Sequence, residues 1–147
     1  MRRVLDTLPD LAQGTPGTFV LAARALPLGL LGQFLVAGQA LFRDVEVWSA
    51  HAALGIGLVL PVIALLGGVL LMRRLRCFAW WTGLVALLYA MQVALGAGGE
   101  ALPLSLHPFN GALLLVASLV LLAKVERRRA ALAANAAVAT EERLPPS

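Results

Sequence analysis

The sequence predicts an all-α membrane protein, a transmembrane four-helix bundle with up-down-up-down topology. Of its 147 residues, 60% are hydrophobic and only 14% are charged, a composition more apolar than that of soluble globular proteins. The apolar residues fall into four continuous blocks, each close to the roughly 20 residues that cross a hydrocarbon core. The blocks lack the alternation of barrel strands, so helices are the form that satisfies their backbone. This composition excludes a soluble enzyme fold.

The four blocks predict membrane-spanning helices at residues 26–42, 49–72, 78–97 and 104–124. Residues 1–25 are predicted to form a cytoplasmic or interfacial segment. The mixed stretch 15–27, which overlaps the start of the first span, is expected to lie along the membrane surface. Residues 125–147 are predicted to form a cytoplasmic tail that prolongs the fourth helix. Pro61 predicts a kink in the second span, whereas Pro108 is expected in the first turn of the fourth, where proline is favoured.

The basic residues predict the orientation in the membrane. Eleven of the twelve Lys and Arg residues flank the termini and the loop between the second and third spans, and only Arg43 lies on the other side. The positive-inside rule then predicts that both termini and the middle loop face the cytoplasm. The predicted location is the inner membrane. Because topology explains these charges, no nucleic-acid partner is predicted. The single cysteine, Cys77, excludes an internal disulfide.

Polar side chains are costly in lipid, so the few inside the spans are the candidate functional residues. Gln39 and Gln92 lie near the ends of the outward-running first and third spans, and His51 and His107 near the starts of the inward-running second and fourth. At 1.5 Å of rise per residue, all four fall within about 3 to 8 Å of the outer ends of their helices. The sequence therefore predicts one polar layer near the outer face. Gln33 is the other polar residue of the first span.

Each histidine is followed four residues later by glycine, His51 by Gly55 and His107 by Gly111. One turn further along a helix, glycine leaves a notch on the histidine's own face. Two interpretations remain open at this stage. The notch admits close packing of another helix, or it makes room for a flat ligand.

Bundle geometry favours haem among the metal centres. In a sequential bundle the second and fourth spans face each other across a diagonal of roughly 12 to 14 Å. That separation suits two histidines on opposite sides of a haem iron. Zinc would need two further ligands, and glutamines and an asparagine bind zinc poorly. We therefore predict His51 and His107 as ligands of haem b, with interhelical hydrogen bonding as the alternative role of the polar layer.

The remaining candidate residues surround this pair. Gln39, Gln92 and Asn110 are expected either to seat the cofactor or to bond neighbouring helices. Gly55 and Gly111 would accommodate the macrocycle. Arg43 would pair with a haem propionate, or form a local ion pair with the neighbouring Asp44 or Glu46.

The pattern resembles a family of small four-helix bacterial membrane proteins of uncharacterised function. In that family one histidine opens the second span, here in His51-Ala-Ala-Leu-Gly55, and an H-P-x-N motif opens the fourth, here His107-Pro108-Phe109-Asn110. The resemblance covers about residues 30–124. More distantly, the layout looks like one half of haem A synthase, and this resemblance implies that His51 and His107 are axial haem ligands.

The chain departs from haem A synthase in several ways. Only one half is present, the outer loops lack a cysteine pair, Ala52 follows the first histidine, and Glu46 is misplaced relative to His51. The oxidation chemistry of that family is therefore not expected here.

The sequence thus predicts a bis-histidine haem protein that transfers electrons or senses redox state near the outer face. Two axial histidines leave iron no open position for a substrate, which favours electron transfer over enzymatic catalysis. The expected partners are the lipid bilayer and a redox protein or quinone. The alternatives are a cofactor-free assembly subunit and a protein that binds or transports a small molecule, although no acidic residue inside a span is available to couple ions.

Overall fold

The computed structural model describes residues 14–141. Five α-helices make up most of this range: α1 (Gly17–Phe42), α2 (Trp48–Gly57), α3 (Val59–Leu71), α4 (Ala79–Ala97) and α5 (Ala101–Glu141). Short 3-10 turns join α1 to α2 and α3 to α4, and no strand occurs between residues 14 and 141. With α2 and α3 counted together, four helical segments are long and apolar enough to cross a membrane. The predicted all-α, membrane-type architecture is confirmed.

Each span packs against the next, and α1 also packs against α5. Gly32 of α1 faces Leu54 of α2, whereas Phe19, earlier in α1, faces Gly68 near the end of α3. Helices α4 and α5 are also antiparallel. Gly96, near the end of α4, faces His107 near the start of α5, and Trp81, near the start of α4, lies under Lys124 much later in α5. The second and fourth spans therefore lie diagonally opposite, and the histidines of α2 and α5 are at the same end of the bundle.

The buried core is densest at the other end, where α3 turns into α4. Phe19 stacks on Phe78 with ring centres 5.6 Å apart, and Leu65, Leu75 and Val125 are fully buried beside them. The outward faces of the helices expose large apolar side chains such as Leu28, Leu60 and Leu87. This apolar exterior is what contact with lipid requires.

Helix α1 begins at Gly17, nine residues before the predicted start at residue 26. Phe19, Val20 and Ala23 are buried in the core, so the segment from 17 to 25 packs as part of the bundle. Pro27 lies inside α1 without ending it, because packing on both sides of the proline holds the helix together. Where this segment lies relative to a membrane stays a prediction, and residues 1–13 lie outside the described range.

The two interior prolines behave differently from each other. The kink predicted at Pro61 is confirmed as a break at Leu58, between α2 and α3, because proline supplies no N–H for the carbonyl of residue 57. The prediction for Pro108 is wrong. Helix α5 begins at Ala101, so Pro108 lies inside it. The first turn forms earlier, with the Leu104 N–H bonded to the Glu100 carbonyl at 3.0 Å.

Helix α5 continues to Glu141 without interruption, which agrees with the prediction that the tail prolongs the fourth helix. Val125 is its last buried core residue. At 1.5 Å per residue, the 16 residues beyond it extend about 24 Å. Residues 142–147 lie outside the described range.

Candidate histidine site

The structure brings His51 and His107 together across the bundle. Their imidazole ring centres are 6.2 Å apart, and the ring planes are inclined by 57°. His51 is the fourth residue of α2 and His107 the seventh of α5. Both rings are partly buried. Because these helices lie on a diagonal, the two side chains reach toward each other from opposite sides.

The His51 ring is held from two directions. Its Nδ1 lies 3.3 Å from the backbone oxygen of Gln33 in α1. The indole of Trp48 meets the imidazole edge-on, with ring centres 5.4 Å apart. When Nδ1 carries the proton it donates to the Gln33 carbonyl, and Nε2 then presents a lone pair on the other side of the ring.

The His107 ring lies against the backbone of α4. A Cβ atom added to Gly96 would lie 3.1 Å from the ring Cε1 and 3.3 Å from Nδ1. Nδ1 is buried without a hydrogen-bond partner among the described residues. Only glycine at position 96 lets the imidazole approach α4 so closely.

Glutamine amides occupy the notches that follow the two histidines. Gln33 Nε2 donates to the backbone oxygen of His51 at 3.0 Å and lies 3.0 Å from the position a Gly55 Cβ would take. Gln92 Nε2 lies 3.1 Å from the corresponding position at Gly111. Each notch thus holds an amide that comes from the preceding span.

The site is therefore built twice from the same parts. Gln33 of the first span donates to the His51 carbonyl and contacts Gly55 in the second span. Gln92 of the third span contacts Gly111 in the fourth, four residues after His107. The separation from glutamine to histidine is 18 residues in one case and 15 in the other. The two pairs of spans place their histidines in equivalent positions, facing one another.

Two further side chains tie the spans together at this level. Asn110 is buried, and its Nδ2 donates to the Leu88 carbonyl at 2.9 Å and to Gln92 Oε1 at 2.6 Å. The Tyr89 hydroxyl donates to the Gly55 carbonyl at 2.9 Å. Sequence reasoning did not select Tyr89 or Gln33 as site residues. The available signal for Tyr89 was its position three residues before Gln92, on the same face of α4.

Gln39 and Arg43 lie apart from the histidine pair. The Gln39 carbonyl accepts the backbone N–H groups of Arg43 and Asp44 at 2.9 and 3.1 Å. With Val47 these residues line a surface cleft of about 270 Å³. None of the described hydrogen bonds or ring contacts joins Gln39 or Arg43 to an imidazole.

The ion pair considered for Arg43 is absent from the described part of the chain, where the ion pairs are those of Glu126 with Arg24 and Arg129. Asp44 Oδ1 instead accepts the backbone N–H of Glu46 at 2.9 Å. This turn directs the carboxylate to its own backbone, which explains why the local pair does not form.

The donor set at this site consists of two imidazoles. Within residues 14–141, no group of three or more His, Cys, Asp or Glu side chains is placed to hold a metal ion. Tetrahedral zinc needs such a group. Haem iron takes four ligands from the porphyrin and requires only the two axial ones from the protein. In number and type, the residues present suit haem iron.

Comparison with known proteins relates part of the chain to a protein family. A family model described as a family of unknown function, DUF6220, matches residues 33–98. The match includes Gln33, His51 and Gln92 and ends before His107. It is consistent with the predicted resemblance to an uncharacterised family. Neither the curated proteins nor the solved structures contain a match, and the comparisons show no link to haem A synthase.

Proposed function

We propose that this protein is a haem b protein of the cytoplasmic membrane, in which His51 and His107 bind the iron from opposite sides. The observation that carries the proposal is the 6.2 Å separation of the two imidazole centres across the bundle diagonal. An iron–nitrogen bond of about 2 Å and about 1 Å from nitrogen to ring centre, taken on both sides, give a separation of about 6 Å.

The surroundings of the rings support the same role. A metal-binding histidine commonly directs its other ring nitrogen to a backbone carbonyl, which fixes the tautomer. His51 has such a carbonyl, that of Gln33, at 3.3 Å from Nδ1. Gly96 lets the His107 ring lie against α4, and Gly55 and Gly111 make room for the amides of Gln33 and Gln92 beside the histidines. Gln92 and Asn110 hold α4 and α5 at the spacing that the pair requires.

Bound haem would supply a one-electron couple, and two histidine ligands would leave no position for a substrate. The function is then electron transfer or redox sensing rather than catalysis. We place the site near the outer face of the inner membrane, with both termini in the cytoplasm, on the distribution of basic residues. Arg43, at the same end of the bundle as the histidines, would be available to a haem propionate. The electron partner would be a protein or a quinone.

A second candidate function is that of a cofactor-free assembly subunit, and a separate observation favours it. Polar groups at this level already bond the backbones of neighbouring spans: Gln33 bonds residue 51, Tyr89 bonds residue 55 and Asn110 bonds residue 88. Such hydrogen bonds hold helices together in membranes without any ligand.

The reduced-minus-oxidised absorption spectrum separates these two candidates. The full-length protein is produced with ample haem supply and purified as wild type, His51→Ala, His107→Ala and Gln39→Ala. We expect a sharp alpha band in the wild type and in Gln39→Ala, and its loss in either histidine variant. A folded, monodisperse wild type without haem would contradict the haem proposal and leave the assembly subunit as the better account.

A further inference from the structure

The end of the bundle opposite the histidine site carries a concentration of cations. They come from the turn between α3 and α4 and from α5 where it leaves the core, and we call them the basic end: Arg73, Arg74, Arg76, Lys124, Arg127 and Arg128. Arg128 Nη1 donates to the Arg74 carbonyl at 2.6 Å. This contact joins the turn to α5 and brings the two groups of cations together.

Little negative charge balances these cations. Glu126 is the acidic residue next to these cations in α5, and it already pairs with Arg24 at 2.7 Å and Arg129 at 2.9 Å. The other described acidic residue on this side, Glu141, lies at the far end of the helix. Arg73, Arg76 and Arg127 are exposed and form no ion pair with a described acidic residue. An anion from outside the chain would meet three exposed guanidinium groups that no carboxylate between residues 14 and 141 pairs with.

Aromatic side chains mark the level of the basic end. The Lys124 ammonium lies 5.8 Å from the centre of the Trp81 ring, and Trp80 beside it is 76% exposed. Tryptophan concentrates where the hydrocarbon of a bilayer meets its headgroups. These rings assign the cations to the headgroup depth.

Apolar surface adjoins the cations directly. Leu70 and Leu71, which immediately precede the arginine turn, are 67% and 85% exposed. A ligand that fits this surface has an acyl chain that covers the two leucines and a phosphate that binds Arg73. A guanidinium group binds phosphate through two parallel hydrogen bonds. Inorganic phosphate and nucleic acids offer the charge without the acyl chain.

We propose that the basic end binds the headgroups of anionic phospholipids and selects them over zwitterionic ones. The proposal stands on residues remote from the histidine pair and does not depend on haem binding. In clusters of basic residues next to a membrane span, each Lys or Arg raises the occupancy of anionic over neutral lipid by about fivefold.

Lipid competition on the full-length protein in mild detergent tests the proposal. Native mass spectrometry measures the ratio of bound phosphatidylglycerol to phosphatidylcholine with matched acyl chains. We expect a ratio of at least about five for the wild type. In the triple variant Arg73→Gln/Arg76→Gln/Arg127→Gln, which removes three of the six cations, the ratio should fall by more than about fivefold. The control Arg43→Gln, at the other end of the bundle, removes one exposed cation and should keep the wild-type ratio.

A second measurement distinguishes lipid from free anion. Phosphatidylglycerol should raise the melting temperature of the wild type. Inorganic phosphate at about 10 mM, a concentration low enough to leave charge interactions weakly screened, should not. Equal stabilisation by inorganic phosphate, or a wild-type lipid ratio near one, would overturn the proposal. If the triple variant does not fold, Arg127→Gln alone takes its place. It should lower the ratio by about fivefold, and an unchanged ratio would count against lipid selection.

Discussion

At the residue scale, two adjacent glycines of α3 meet different surroundings. A Cβ at Gly68 would lie 2.7 Å from Phe19 Cδ2 and 3.2 Å from Leu75 Cδ1, whereas one at Gly67 would meet no atom within 4 Å. Phe19 and Leu75 are buried, so they have little freedom to move aside. Gly68→Ala should therefore lower the free energy of unfolding by about 1–3 kcal/mol. Thermal unfolding in detergent, followed by far-UV circular dichroism, measures the change.

Gly67→Ala is the matched control for this substitution. The new methyl group enters open space, and alanine is the better helix former, so stability should stay the same or rise by up to about 1 kcal/mol. Equal losses in both variants would mean that the close approach of Phe19 to α3 is not what position 68 requires.

Asn110 is the residue whose hydrogen bonds join α5 to α4. In Asn110→Ala, the Leu88 carbonyl and Gln92 Oε1 both lose the hydrogen bond that Asn110 Nδ2 donates to them. The expected cost is about 1–2 kcal/mol of unfolding free energy. Ser118→Ala provides the control, because its hydroxyl is equally buried but bonds only within its own helix, to the Leu115 carbonyl. That change should cost less than about 0.5 kcal/mol, and a chemical or thermal unfolding series compares the two.

The sequence indicated some site residues better than others. The depth of His51 and His107 follows from counting along their helices, and the structure brings the two rings together. Gln39 shares that depth, yet it faces the surface turn with Arg43, and Gln33, one to two turns deeper, contacts His51 instead. Depth depends on sequence position alone, whereas facing depends on how each helix is rotated against its neighbours.

At the element scale, Pro61 divides the second span, and the position of His51 depends on that break. Helix α2 has ten residues, so its length is about 15 Å, and a turn of about 20° at the break moves its far end by about 5 Å. Pro61→Ala restores a donor for the carbonyl of residue 57 and should straighten the span. Spin labels at Ala53→Cys and Leu102→Cys, in a Cys77→Ser background, should report a distance change of several ångström in pulsed EPR.

Pro27→Ala gives the comparison within the same labelled protein. Helix α1 passes through Pro27 without a break, so that substitution should leave the label distance unchanged. An unchanged distance in Pro61→Ala would show that packing of α2 against α1, through Gly32 and Leu54, sets the break without help from the proline.

At the scale of the whole molecule, the lone cysteine reports orientation. Cys77 is exposed and lies in the turn between α3 and α4, among the arginines that the positive-inside rule places in the cytoplasm. A membrane-impermeant maleimide added to intact spheroplasts should leave Cys77 unlabelled until the membrane is permeabilised. In a Cys77→Ser background, Gly98→Cys, in the turn between α4 and α5, should label in intact spheroplasts, because a side chain at Gly98 would meet open space. The reverse pattern would place both termini outside and move the histidine site to the cytoplasmic face.

The sequence by itself determined the fold class and the number of helical spans. In four apolar blocks of membrane-crossing length, the α-helix is the form that satisfies every backbone hydrogen bond within the block. This constraint is local to each block. The same local reasoning was wrong at Pro108 and for the start of α1, because helix ends depend on packing partners that are distant in sequence. Phe19 is helical because α3 and Phe78 cover it.

Only the tertiary structure decided which polar residues meet. The rotation of each helix about its axis brings His51 to His107, turns Gln33 and Gln92 into the glycine notches, and leaves Gln39 at the surface. A nearly uniform apolar helix carries almost no sequence signal of its rotation, because lipid and bundle interior are both apolar. Close contacts at glycines 32, 55, 96 and 111 fix that rotation, and they exist only once all four spans are packed together.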